Sequence, residues 1–225
     1  IGGMTESFQK MVHDIDTYAA SIAYMTAARE REMAELDVAQ RIQLGMLPQS
    51  DRYADRREIA LGAYMMPAKE IGGDLYDFFF IDETHFCTLV GDVSGKGITA
   101  ALFMSMTRTL LKDYLLTTGK PEEALRQANA RLCAENPEGM FVTVFVGILD
   151  TASGEYVYAN AGHNYPVFGQ NPKEFLKTKS GIPLGVIETA KYSESTVYLQ
   201  EEDEILLYTD GVTEAQTQAG ELFGD

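Results

Sequence analysis

Positive charge is what this sequence has least of. Lys and Arg number 18 against 34 Asp and Glu, giving a formal net charge of −16 and a pI near 4.5. A nucleic acid or an acidic membrane is held by clustered cations that neutralise phosphates, so this balance excludes both as partners. An acidic chain can still act on phosphate where bound divalent cations reverse the local field. Cysteine is also scarce. Cys87 and Cys133 stand in unrelated apolar settings, with no CxxC pair and no histidine pair nearby, and read as buried packing thiols in a reducing compartment. No run of eighteen apolar residues exists, and the opening IGGMTESF lacks a basic stretch followed by an apolar one. The chain is therefore expected to be a cytoplasmic domain, not inserted in a membrane and without a signal peptide. Its 225 residues suffice for one good-sized core and are too few for two large domains.

Helix breakers are missing from the first part of the chain. Residues 1–47 contain no proline, and no glycine between Gly3 and Gly45. Met4, Phe8, Met11, Ile15, Tyr18, Ile22 and Met25 alternate steps of four and three, which is the seam of a coiled coil. From Ile22 an eleven-residue step through Arg29 reaches Met33, relaxing the supercoil locally before Leu36 continues the stripe. Such a helix cannot bury its seam alone, so a parallel homodimer is expected through it, with folding back onto the chain's own core as the alternative. His13 reads as a solvent-facing residue of this helix.

Pro48 ends the helix, and the texture changes to short β-rich runs. Strands are expected at 59–66, 75–81, 85–93, 140–149, 154–160, 195–199 and 204–210. Two helices interrupt them, one starting near Gly97 and one at Pro121, where proline takes the first helical position and acids fill the first turn. Hairpin-like spacing with grouped helices predicts an α+β fold, an antiparallel β-sandwich flanked by helices, preceded by the long coiled-coil helix.

Three aspartates stand beside glycines near the ends of these runs: Asp74 in EIGGDLYD, Asp92 in LVGDVSGKG and Asp210 in LLYTDGVTE. A strand delivers a fixed carboxylate to the rim of a core, and three hard oxygen ligands converging there suit magnesium or manganese. Any single Asp-Gly is more simply a turn; three of them following apolar strands shift that balance. Other glycine motifs fail. Gly91 and Gly95 are too close for a P-loop, and Lys96 is followed by Gly97 instead of Ser or Thr. Gly95, Gly97 and Ala100 fit a dinucleotide pattern formally, but without a βαβ context and after an acid that would repel pyrophosphate. No Ser/His/Asp arrangement or glycine-cradled cysteine is present.

The segments PAKEIGGDLYD, GDVSGKGITAALFM, NPEGMFVTVFVGILD, YANAGHNYPV, SGIPLGV and LLYTDGVTEA, in this order, resemble the SpoIIE/RsbU branch of the PPM (type 2C) metal-dependent serine/threonine phosphatases. AELDVAQRIQLGMLP resembles the helical linker leading into that domain, and IGGMTESFQKMVHDI the end of a HAMP signalling module. The resemblance divides the chain into a linker of residues 1–47 and a phosphatase domain of residues 48–225. It implies two divalent cations, Mn2+ or Mg2+, with Asp92 bridging both, the carbonyl of Val93 adding a ligand, Asp74 serving one and Asp210 the other. Lys69 and Lys96 are weak candidates for meeting a substrate phosphate, Asp77 for a second layer around the metals, and His163 and Asn164 belong to a family segment of unassigned chemistry. The implied activity is hydrolysis of phosphoserine or phosphothreonine on a partner protein, often a STAS-domain anti-sigma-factor antagonist, regulated through the N-terminal helix. A HAMP remnant implies a membrane-anchored parent. The family pattern carries a further acidic ligand after the Thr-Asp-Gly segment that has no counterpart here, so the domain is expected to be C-terminally incomplete. A phosphatase-like module that dimerises and binds a partner without catalysis is the alternative.

Overall fold

The computed structural model describes residues 2–67, 71–170, 173–217 and 220–224, and in the first helix the side chains of residues 10, 11 and 13 onward. Two compact units divide at residue 42: Ile1–Ile42 and Gln43–Asp225. Helix α1 (Gly2–Met46) runs without a break, as expected of a stretch with neither proline nor interior glycine. In the first unit the seam residues Met11, Ile15, Tyr18, Ile22 and Met25 are each more than half exposed. Met4 and Phe8 lie outside the described side chains. Among the described residues no helix is long and apolar enough to cross a membrane.

In the second unit, Pro48 leads into a single 3₁₀ turn (Ser50–Tyr53) that delivers Tyr53 onto Phe78, Phe80 and Phe86, with ring centroids 6.2, 5.4 and 5.7 Å away. These edge-to-face contacts cover one side of the first hairpin. The main sheet contains β1 (Leu75–Phe80), β2 (His85–Val93), β3 (Val142–Asp150), β4 (Glu155–Ala161) and β7 (Glu194–Tyr198), all antiparallel in the order β1-β2-β3-β4-β7. A second sheet has the order β6-β5-β8, from β5 (Val167–Gly169), β6 (Glu174–Phe175) and β8 (Glu204–Leu206).

Period-two alternation decides which side chains each layer receives. Leu75, Phe79, Cys87, Leu89, Val142, Val144, Val146 and Ile148 point toward α2 (Ile98–Thr118) and α3 (Pro121–Ala134), whose Met104, Leu111, Leu115, Leu125 and Leu132 complete the larger core. Val90, Phe145, Tyr156 and Tyr158 point the other way, with Phe168, Leu176 and Ile205 between the sheets. Tyr156 lies so close over Gly147 that a Cβ there would come within 2.1 Å of its ring. Each fully buried aliphatic or aromatic side chain contributes roughly 1.5–3 kcal/mol on leaving water, so packing, more than helix propensity, holds the two helices in place.

Several expectations need correction. Residues 59–66 form no strand; Tyr64 and Met66 are exposed and no residue of the run is buried, so it gains no packing that would hold it extended. The expected strand at 204–210 stops at Leu206, and Asp210 instead opens the short helix α4 (Asp210–Thr213). Asp74 precedes β1 instead of following a strand. Cys87 is buried, but Cys133 is only half-buried.

Candidate functional site

The site is assembled at one end of the main sheet by strand register. Leu75 pairs with Gly91 and Asp92 with Thr143. One step further along the β1–β2 ladder, the antiparallel register sets Asp74 opposite Asp92 and Gly73 opposite Val93. The fit is close: a Cβ on Gly73 would fall 2.7 Å from the Val93 carbonyl oxygen and 3.2 Å from Val93 Cβ. Only glycine admits that approach, and it brings Asp74 against Asp92.

Two further residues fix the 72–74 segment. The Gln43 side-chain amide donates from Nε2 to the Gly72 carbonyl at 2.7 Å and accepts the Gly72 N–H on Oε1 at 3.3 Å, while being only 5% exposed itself. Thr209 Oγ1 donates to Asp74 Oδ2 at 3.2 Å, tying Asp74 to the turn that begins with Asp210. His163 bridges the same turn to β3 from its loop after β4. Burial holds its imidazole down to about 4, well below the ordinary histidine range, so it is neutral near pH 7.

Electrostatics show how tightly the acids are gathered. Burial, then the charges of Asp74 and Asp210, pushes the Asp92 carboxyl up to about 7, with Glu214 adding to the effect. Asp74 is also raised by burial, offset in part by hydrogen bonds from Asp92 and Thr209. In the protonated state that this favours, Asp92 donates to the Asp74 carboxylate, because two facing carboxylates repel in a half-buried site. A hard divalent cation answers the same charge problem more strongly than one shared proton, and the donors here are all oxygens. Among the described residues no three His, Cys, Asp or Glu side chains form a ready metal cage. The donor chemistry fits magnesium or manganese, while the Asp74–Asp92 pair is closed on its proton.

Asp74, Asp92, Asp210 and the Val93 carbonyl thus belong to one neighbourhood. Lys69 lies outside the described residues. Lys96 is exposed on the loop between Gly95 and Gly97, whose φ of 90° and 80° permit the sharp entry into α2. Asp77 serves elsewhere: it is 1% exposed, faces α2, and is held by Arg108 Nη2 at 2.7 Å and Lys112 Nζ at 3.1 Å. An open groove of about 520 Å³, lined by Phe168, Glu174, Phe175, Leu176 and Lys177, contains none of the acids.

Sequence reasoning missed Gln43, Thr209 and Glu214. Thr209 and Glu214 flank Asp210 in YTDGVTE, where polar residues around an acid at a turn were the available signal. Gln43 gave none, being one polar residue among many on a helix.

The family model described as Stage II sporulation protein E (SpoIIE) matches residues 82–225. The chain belongs to the SpoIIE family. It is similar to Protein IcfG of Synechocystis sp., at 29% identity over all of this chain and 39% of that protein. Phosphoserine phosphatase RsbU of Bacillus subtilis is 32% identical over 84% of this chain and 56% of its own length. Among solved structures, the SiaA-PP2C domain of Pseudomonas aeruginosa superposes with a TM-score of 0.74 over 88% of this chain and 80% of that one, at 22% identity, which establishes the shared PP2C fold. The chain spans about half the length of the curated relatives it matches, or less.

Proposed function

We propose that this chain is the catalytic part of a metal-dependent protein phosphatase that hydrolyses phosphoserine or phosphothreonine on a partner protein, a STAS-domain antagonist being the expected substrate class. The observation that carries the reading is the meeting of Asp74 and Asp92 opposite each other at the sheet end, with Asp210 beside them and Gly73 packed on the Val93 carbonyl. Asp74, Asp92, Asp210 and the Val93 carbonyl would hold two divalent cations. When bound, these supply an attacking water of lowered pKa and neutralise phosphate charge that a chain of net charge −16 repels. Asp92 would have to release the proton it shares with Asp74 to act as a ligand, and the 72–74 segment, held by Gln43 and Thr209, would keep Asp74 aimed at the same point. Residues 1–47, read as a HAMP-following linker, would pair with a second copy through the exposed seam and reach the site through Gln43.

The test is hydrolysis of a phosphoserine peptide with and without Mn2+, on the wild type and on Asp92→Asn. Metal-dependent release of phosphate that disappears in the variant supports the proposal. A chain that binds no Mn2+ is instead the non-catalytic, partner-binding module.

A further inference from the structure

We infer that His163 is a positioning residue, a buried strut that sets the spacing between the Asp92 end of β2 and the turn carrying Asp210. The inference rests on reading Asp74, Asp92 and Asp210 as cation ligands. His163 is only 7% exposed, and its backbone is pinned on both sides by Asn160: His163 N–H donates to Asn160 Oδ1 at 2.7 Å and Asn160 Nδ2 donates to the His163 carbonyl at 2.9 Å. The ring therefore has little freedom to move.

Its two nitrogens reach opposite sides of the site. Nε2 lies 3.0 Å from the Tyr208 carbonyl oxygen, two residues before Asp210. A carbonyl only accepts, so Nε2 carries the proton. Nδ1 then has a lone pair in the neutral ring, and Thr143 Oγ1–H, 2.8 Å away, donates to it. Thr143 is the cross-strand partner of Asp92, and its hydroxyl stands 3.4 Å from the Asp92 carbonyl, so the shorter contact to His163 takes the single hydroxyl proton. One imidazole thus spans from the β3 residue facing Asp92 to the backbone that leads into Asp210. The neighbouring bridge between Val144 and Gly162 fixes the loop to β3 at the same level. Distances between metal ligands tolerate only a few tenths of an ångström, which gives a rigid strut a function that bulk packing cannot supply.

Two measurements on the full chain test this. Long-range 1H–15N spectra of the metal-free protein at pH 7 should show His163 neutral and protonated on Nε2; an Nδ1–H tautomer or an imidazolium overturns the strut. Calorimetric Mn2+ titration, run beside thermal melts, should show affinity falling roughly tenfold or more in His163→Ala and largely restored in His163→Gln, whose amide N–H reaches the Nε2 position. Equal Mn2+ affinity in the wild type and both variants overturns the strut, as does a loss in both that merely follows a lowered melting temperature. A wild type that binds no Mn2+ overturns the cation reading itself, and the strut with it.

Discussion

Gly73→Ala isolates the contact on which the site depends. Gly73 does not occupy the left-handed region, so alanine introduces no backbone strain, and the whole effect is steric. The added Cβ would sit 2.7 Å from the Val93 carbonyl oxygen, and relief to an ordinary 3.4 Å contact requires a shift of about 0.7 Å. The obstacle is backbone of a strand paired on both sides, so the 72–74 segment is what gives way. Overpacking costs about 1–3 kcal/mol, against which alanine recovers about 0.4–1 kcal/mol of unfolded-chain entropy, leaving a net loss of up to about 2.6 kcal/mol. The displacement exceeds the ~0.2 Å tolerance of a metal ligand severalfold, so Mn2+ affinity should fall roughly tenfold or more. Gly72→Ala is the control, because its Cβ would meet nothing closer than Pro67 Cβ at 3.6 Å. Urea unfolding and Mn2+ calorimetry on both variants make the comparison. Wild-type affinity in Gly73→Ala, or an equal loss in Gly72→Ala, refutes the claim that this approach positions Asp74.

Gln43→Ala leaves the Gly72 N–H and carbonyl without their side-chain partner, at about 1–3 kcal/mol for each group water cannot reach. Faster hydrogen exchange at the Gly72 amide and weaker Mn2+ binding are expected together. Arg108→Ala strips one of two cations from buried Asp77 and should cost about 3 kcal/mol in urea unfolding, the low end for a broken buried pair because Lys112 remains. Asp92 keeps in the folded state a proton that the unfolded chain releases near 3.8, so the metal-free protein should lose stability as pH rises from about 4 to about 7. Thermal melts across that range should show the decline, Mn2+ should reverse it, and metal-free Asp92→Asn should melt above the wild type at pH 8. Ile22→Glu, in the exposed seam, should convert a dimer to a monomer in sedimentation equilibrium; an unchanged mass would assign dimerisation to another surface.

The parts of the fold that were legible were those written in short-range periodicity. β2 and β3 are apolar runs rich in β-branched and aromatic residues and α3 opens on Pro121, so each emerged within a residue or two of its observed bounds. The 59–66 run carried the same local signal without becoming a strand, because none of its residues is buried and strand formation depends on packing that local sequence does not record. The site was legible as residue types and not as geometry. That Asp74 stands opposite Asp92 follows from the Leu75–Gly91 register, a relation between segments 16 residues apart that no local pattern specifies. Gln43 was invisible for the same reason, its partner being 29 residues away.

What keeps these acids together is not attraction among them. Asp74, Asp92 and Asp210 repel one another, and Glu214 adds to the field at Asp92. They are gathered by neutral devices: the β1–β2 ladder, the glycine that lets Asp74 approach, the Gln43 side-chain clamp, and the hydroxyl of Thr209. On the proposed cation reading, a site built in this way holds its acids close in the metal-free chain, with Asp74 and Asp92 sharing a proton that a cation would have to displace. The same construction makes it adjustable. The sheet strands cannot move without disrupting the core, whereas the 72–74 segment is held by side chains: two hydrogen bonds to Gln43 near the end of α1 and one from Thr209 to Asp74. On the proposed cation reading, Gln43→Ala should therefore loosen Asp74 while leaving Asp92 in its strand, lowering Mn2+ affinity with little cost to the rest of the fold.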